Sequence, residues 1–184
     1  DVYKRQTNNG VLAGGKEYEV DCIIFATGFE VGTSYVRRSG YDVTGRHGMT
    51  LSEKWADGMR TLHGVMTNGF PNLFIISNSQ AGFTTNFPHA MDETSRHIGY
   101  MLKQCEKERL SSIEASKEAE DEWVDEIIAV SRFASDFQES CTPGYYNNEG
   151  KPNPKSVQNG PYGKGSRPYF RIIAAWREEG NMSG

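Results

Sequence analysis

The sequence has no long hydrophobic run, no excess of basic residues and few cysteines, and each absence excludes a class of protein. No apolar stretch approaches the roughly 18 residues that a membrane-spanning helix needs. The 184 residues carry a net charge of -4 without long runs of one sign. We therefore expect no nucleic acid and no anionic membrane surface as a partner, and no membrane span. The three cysteines, Cys22, Cys105 and Cys141, have no disulfide or metal-ligand spacing. They suit a reduced compartment, and we predict a cytoplasmic protein.

Motifs for two common kinds of site are missing as well. The glycine fingerprint G-x-G-x-x-G does not occur, because GPYGKG around Tyr162 has its glycines in another order and follows no strand. His89 and Asp92 are spaced as a surface pair on a helix, and residues 118 to 122 are typical of a solvated acidic face. His47, His63, His89 and His97 do not cluster. No metal site is therefore predicted.

What the sequence does contain is a repeated order of apolar strand, small-residue loop and helix. Asn8 to Gly15 predicts a hairpin that leads into the apolar run Ile23 to Phe25, which favours a strand buried on both faces. This strand ends in Ala26, Thr27 and Gly28, whose small size permits a sharp turn or a close backbone approach. Leu73 to Ile76 predicts a second buried strand, and Ser77 to Asn86 a polar loop after it.

Helix signals follow. Apolar residues at spacings of three and four predict a helix from about Phe87 to Lys107, with Asn86 as its cap. Further helices are predicted after Ser116 and before Gly180, with a long loop of Gly, Pro and Asn at about 140 to 167. In an open α/β sheet a ligand lies where a strand ends and a helix begins. The alternative is that Asn86 only caps its helix.

Five segments in a fixed order carry a family resemblance. FATGFE resembles the Ala-Thr-Gly segment of class B flavoprotein monooxygenases. FPNLFIISN, the helix from Phe87, IEASKEAEDEW, and CTPGYYNNEG with the YF...WR ending are similar to the C-terminal part of a Baeyer-Villiger monooxygenase of the cyclohexanone, phenylacetone and cyclopentadecanone type. The similarity runs from about Val11 to the end. DVYKRQ, residues 1 to 6, instead resembles a translated sequencing adapter, and we expect it to be a processing scar.

The resemblance implies an α/β fold: residues 7 to 184 would be the C-terminal portion of a Rossmann-like FAD-binding domain, a fragment of a flavoprotein with two dinucleotide-binding domains. It implies FAD and NADPH as cofactors. Ala26, Thr27 and Gly28 would join the two domains close to the cofactors. Ser79, Gln80 and Thr85 would lie beside the isoalloxazine, and Asn86 and Phe87 would point a helix N-terminus at its pyrimidine edge. The loop over NADP and substrate would comprise Cys141, Thr142, Pro143, Gly144, Tyr145, Tyr146 and Asn147.

The activity implied by the resemblance is insertion of one oxygen atom of O2 into a ketone to give an ester or lactone. The family's catalytic arginine is expected upstream, so no catalytic residue is assigned in these residues and the chain alone is predicted to be inactive. Two alternatives stay open. One is an N- or S-oxygenating flavin monooxygenase, and the other is a non-catalytic interaction domain on the same fold. No oligomeric state is predicted.

Overall fold

A computed structural model describes residues 3-25, 35-131 and 155-184. The chain divides into two compact units, residues 1-31 and 32-184. The first contains an antiparallel meander of β1 (Tyr3–Gln6), β2 (Gly10–Ala13) and β3 (Lys16–Glu19), with β2 in the middle. Gly14 and Gly15 connect β2 to β3 with φ angles of 54° and 80°, the left-handed region that glycine adopts without steric cost. The predicted hairpin is confirmed.

Strand β1 lies within the six residues that resemble a translated adapter. Its backbone nevertheless pairs with β2, Tyr3 opposite Ala13 and Gln6 opposite Val11. This pairing does not test where residues 1 to 6 come from, and their origin as a scar stays a prediction.

The prediction of two buried strands is wrong for the described residues. Ile24 and Phe25 are 84 % and 63 % exposed, and residues 22-25 belong to no strand. Residues 73-76 are likewise irregular: the Leu73 amide donates to the Phe70 carbonyl at 3.2 Å and the Ile75 amide to the Val65 carbonyl at 2.8 Å. A strand is stabilised by the ladder to its neighbours, and among the described residues neither segment has one. Apolar character alone therefore did not produce a strand.

The second unit is helical. Its helices are α1 (Tyr35–Ser39), α2 (Leu51–Lys54), α3 (Phe87–Glu108), α4 (Lys117–Val130), α5 (Lys155–Gln158) and α6 (Ser166–Glu179). The Asn86 side chain accepts a hydrogen bond from the His89 amide at the start of α3, and Ser116 accepts one from Ala119 at the start of α4. These caps satisfy amides that have no partner within the helix. The predicted helices and caps are confirmed.

The core of this unit lies between α3, α4 and α6. It centres on the fully buried side chains Met101, Ile127, Tyr169 and Ile173. Of the apolar residues whose spacing predicts α3, Ala90, Met101 and Cys105 are buried as expected. Phe87 and Leu102 are about half exposed, and His97 is fully buried in addition. Neighbouring faces of one helix differ by a small rotation about its axis, and the packing of α3 against α6 determines which of them is buried. Among the described helices none is both long and apolar enough to cross a membrane.

The end of the predicted long loop is packed rather than open. Of residues 140 to 167, those up to 154 lie outside the described residues. After them comes the short helix α5, and then Tyr162, which is buried and stacks on Trp123 with a centroid distance of 5.6 Å. Aromatic stacking and burial of this size fix a segment firmly. The predicted loop is therefore packed against the core at Tyr162.

Candidate functional site

The loop before α3 holds the predicted site residues that the structure describes. Ser79, Gln80, Thr85, Asn86 and Phe87 lie on one continuous stretch that ends at the helix N-terminus. Ala26, Thr27 and Gly28 lie outside the described residues, as do the loop residues Cys141, Thr142, Pro143, Gly144, Tyr145, Tyr146 and Asn147. Within the described residues, the candidate site therefore comprises the loop and the start of α3.

Side chains of the loop bond to its own backbone. Ser77 Oγ accepts from the Ser79 amide at 3.2 Å, and Thr84 Oγ1 accepts from the Asn86 amide at 3.2 Å. Serine and threonine stabilise tight turns in this way. The loop is consequently a defined turn that leads into α3.

The first turn of α3 leaves one amide available. The His89 amide donates to the Asn86 side chain, and the Ala90 amide to the Asn86 carbonyl at 3.3 Å. Pro88 has no amide proton. The Phe87 amide has no hydrogen-bond partner within the described parts of the chain. An unpaired amide at a helix N-terminus attracts partial negative charge.

Large apolar side chains accompany this amide along the sequence. Ile76, Phe83 and Phe87 are each about half exposed to solvent. Small-molecule sites are lined mainly by aromatic and aliphatic side chains with a few polar groups. The segment therefore combines what an apolar ring with a polar edge requires.

Gln80 differs from its neighbours because its side chain is fully buried. Its Oε1 accepts from Thr61 Oγ1 at 2.6 Å, and its Nε2 donates to the carbonyls of Met59 and Gln158 at 2.5 and 3.0 Å. The carboxamide thus bonds to protein groups at both ends. These hydrogen bonds hold the loop in one conformation.

A buried histidine pair lies in the core, which contradicts the interpretation that the histidines do not cluster. His63 Nδ1 and His97 Nε2 are 3.3 Å apart, and the rings pack against Trp123 and Trp176. Burial lowers the pKa of His63 to about 4. Burial, helped by the charges of His63 and Arg177, lowers the pKa of His97 to about 3. Both rings are neutral at pH 7, so the pair is a structural element of the core.

A buried carboxylate corrects the prediction of a solvated acidic face. Glu120 on α4 is fully buried. Its oxygens accept from Thr67 Oγ1 at 2.7 Å and the Asn68 amide at 2.8 Å, and pair with Lys54 Nζ at 2.7 Å. Arg60 Nε lies 3.6 Å away. A buried charge is tolerated only when it is paired and hydrogen-bonded, and Glu120 meets both conditions.

The same cluster closes one side of a cleft of about 380 Å³. Its basic side chains already contact carboxylates: Arg46 pairs with Glu114 at 2.8 Å, and Lys117 with Asp121. Since Lys54 and Arg60 are paired as well, the cleft offers little uncompensated charge to a ligand.

The first turns of α3 also bring together three groups that could ligate a metal ion. The ligand atoms of His89, Asp92 and Glu93 lie within 4.8 Å of one another. Asp92, however, pairs with Arg96 at 2.9 Å, and Glu93 lies 3.7 Å from Arg177. His89 and Asp92 are exposed, which agrees with the interpretation of a surface pair.

Comparison with known proteins identifies the relatives of the chain. No protein-family model matches it. Pentalenolactone D synthase from Streptomyces exfoliatus is 48% identical over 183 residues, which are 98% of this chain and 31% of that protein. Baeyer-Villiger monooxygenase peniC from Penicillium patulum is 40% identical over 95% of this chain and 29% of its own length. FAD-binding monooxygenase hmp7 from Hypomyces subiculosus is 37% identical over 98% and 30%.

This chain is a relative of the Baeyer-Villiger monooxygenases. The resemblance indicated by the motifs is thereby confirmed. Among solved structures, the polycyclic ketone monooxygenase from Thermothelomyces thermophila matches with a TM-score of 0.83 at 33% identity, over 99% of this chain and 30% of the other. Oxidized steroid monooxygenase bound to NADP matches with a TM-score of 0.75 at 25% identity, over 94% and 31%. The chain thus spans about 31% of the length of the curated relative that is 48% identical to it.

Proposed function

We propose that the chain is part of an FAD- and NADPH-dependent Baeyer-Villiger monooxygenase that inserts one oxygen atom of O2 into a ketone to give an ester or lactone. The observation that carries the proposal is its 40% identity, over 95% of the chain, to a protein named a Baeyer-Villiger monooxygenase. The likeness to a polycyclic ketone monooxygenase supports a ketone as the substrate class. We further propose a cytoplasmic location.

The fold assignment that goes with this function is also a proposal. Residues 7 to 184 would form the C-terminal portion of a Rossmann-like FAD-binding domain. The order of loop and helix at α3 supports it, because such domains place a helix N-terminus at the cofactor. Ala26, Thr27 and Gly28 would connect it to the NADPH domain, and the residues from Cys141 to Asn147 would cover NADP and substrate.

The start of α3 fits the flavin ring chemically. The isoalloxazine presents a broad apolar surface and a polar pyrimidine edge. The unpaired Phe87 amide suits the pyrimidine edge of the ring. The half-exposed side chains of Phe83 and Phe87, which are close to it in sequence, suit the apolar surface of the ring. The name of hmp7 as an FAD-binding monooxygenase and the NADP in the steroid monooxygenase structure support the two cofactors.

FAD, once reduced by NADPH, would supply the oxygen chemistry, and the residues of this chain would position it. The Phe87 amide and the partial positive charge of the α3 N-terminus would stabilise negative charge that develops at the pyrimidine edge. Asn86 keeps this turn in shape by capping the His89 amide. Phe83 and Phe87 would exclude water from the ring.

The test is product analysis with the complete protein that contains this chain. It would be loaded with FAD and given NADPH, oxygen-18 gas, and either a polycyclic ketone or a thioether. The proposal predicts an ester or lactone carrying one oxygen-18 atom. Sulfoxide as the sole product would indicate an S-oxygenating enzyme. Absence of any NADPH-dependent product would contradict an enzymatic role.

A further inference from the structure

Gln80 bonds to three segments that are distant in sequence. Its side chain reaches Thr61 Oγ1 and the carbonyls of Met59 and Gln158. Its backbone amide donates to the Gly160 carbonyl at 2.7 Å, and its own carbonyl accepts from Trp123 Nε1 at 3.1 Å. One residue thereby links the loop to residues 59-61, to α4, and to the segment at α5.

The backbone at Gln80 adopts a conformation that its side chain has to stabilise. Its φ angle is 55°, in the left-handed region that is unfavourable for residues other than glycine. Such a conformation persists when the surroundings hold it in place. Three side-chain bonds and two backbone bonds do so here. Without these hydrogen bonds we expect the loop to leave this conformation.

Two neighbours carry the same constraint toward α3. The Ala81 carbonyl accepts from the Tyr162 amide at 3.0 Å. A Cβ atom on Gly82 would lie 2.6 Å from Tyr169 Cδ1, so the Gly82 backbone is packed directly on that buried ring. Four residues beyond Gly82 the chain reaches Asn86 and the unpaired Phe87 amide. The position of that amide therefore depends on where Gln80 is held.

We propose that Gln80 is a positioning residue: its carboxamide fixes the loop from Ser77 to Asn86, and with it the orientation of the Phe87 amide toward the flavin. A methionine would fill the same volume, so packing alone does not require a glutamine. The inference rests on the proposed function, because the group that is positioned is the one that we assign to FAD.

The experiment compares two variants with a matched control in the complete, FAD-loaded protein. Gln80→Met removes every side-chain hydrogen bond at nearly constant volume. Gln80→Glu keeps an acceptor for Thr61 and removes both N–H donors, so it serves if the methionine variant does not fold. The control is Thr94→Val, because Thr94 is buried on α3 and its hydroxyl donates to the Ala90 carbonyl of the same helix at 2.9 Å.

Two quantities would be measured: hydrogen exchange of the amides from Ser77 to Phe87, and ester formed per NADPH consumed. We expect both Gln80 variants to raise the exchange rate by at least about tenfold. They should also lower the ester yield per NADPH by roughly tenfold or more, because small misplacements at a reactive site are costly. The control should change neither quantity.

Two outcomes separate the inference from the proposed function. If the Gln80 variants match the control in both measurements, Gln80 is an ordinary core residue and the inference is wrong. The second outcome is that the unmodified protein forms no ester while hydrogen exchange of the loop rises in Gln80→Met and not in the Thr94→Val control. In that case the proposed function is wrong, and the restraint of the loop by Gln80 stands.

Discussion

Replacing Glu120 with glutamine should destabilise the protein strongly, although the residue lies in an acidic sequence typical of a surface. Glu120→Gln keeps the shape and removes the charge. Lys54, whose side chain is 13% exposed and whose Nζ lies 2.7 Å from Glu120 Oε2, would lose its counterion. In either orientation the new amide would also place its N–H donors against other donors, Thr67 and Asn68 on one side or Lys54 on the other.

Removal of one partner from a buried ion pair costs about 3 to 5 kcal/mol. For a unit of this size that corresponds to a fall in melting temperature of roughly 6 to 20 °C. The assay is urea unfolding followed by tryptophan fluorescence, with Trp123 buried in the same core as the reporter. Glu118→Gln is the control, since Glu118 is exposed on the same helix and should change stability by less than about 1 kcal/mol. Equal effects of the two variants would refute the account of Glu120 as a buried, paired charge.

Three further predictions follow from the core and from the sequence. The folded pKa values of His63 and His97 are about 4 and about 3, below the usual 6.5. The contribution of the two neutral rings to stability is therefore fully present above pH 6.5 and is lost as the pH falls below it. Calorimetry should show that the unfolding free energy falls by about 1.4 kcal/mol per pH unit for each ring, and a slope unchanged in His97→Phe would contradict this. Gly163→Ala should lower the unfolding free energy by about 1 to 3 kcal/mol, because its Cβ would lie 1.8 Å from the Val130 carbonyl oxygen; Gly99→Ala, with open space around it, is the control and should not destabilise. The chain expressed alone should not retain FAD after desalting, because no glycine-rich pyrophosphate loop occurs in it; stoichiometric flavin absorbance would contradict the placement of the cofactor site.

Local signals in the sequence were sufficient to predict the three long helices, α3, α4 and α6. The caps Asn86 and Ser116 act on amides three residues away, so the sequence around each start contains the whole interaction. The β2 to β3 hairpin is similar, because two glycines in the turn determine it.

Long-range contacts were not predictable from the same signals. His63 and His97 are 34 positions apart, and Thr67 and Glu120 are 53 apart. Burial of each depends on how α3 and α4 pack, and no local pattern contains that information. A glutamate in an acidic run and an isolated histidine have the same local sequence whether they are buried or solvated.

The predicted strands failed for a related reason. Ile23 to Phe25 have the composition of a buried strand, but composition describes what a segment can do when neighbours are present. Phe25 is 63 % exposed, and residues 22-25 belong to no strand in the described part of the chain. The position of the loop directly before α3 follows from the order of the segments, whereas the hydrogen bonds of Gln80 to Met59 and Gln158 do not follow from the local sequence.

The most direct test of the account is the position of the flavin in a crystal structure of the complete, FAD-loaded protein. The account predicts that the pyrimidine edge of the isoalloxazine accepts a hydrogen bond from the Phe87 amide, at about 3 Å, with Asn86 still capping His89. An isoalloxazine bound away from the N-terminus of α3, or a Phe87 amide that bonds to protein in the loaded state, would contradict it.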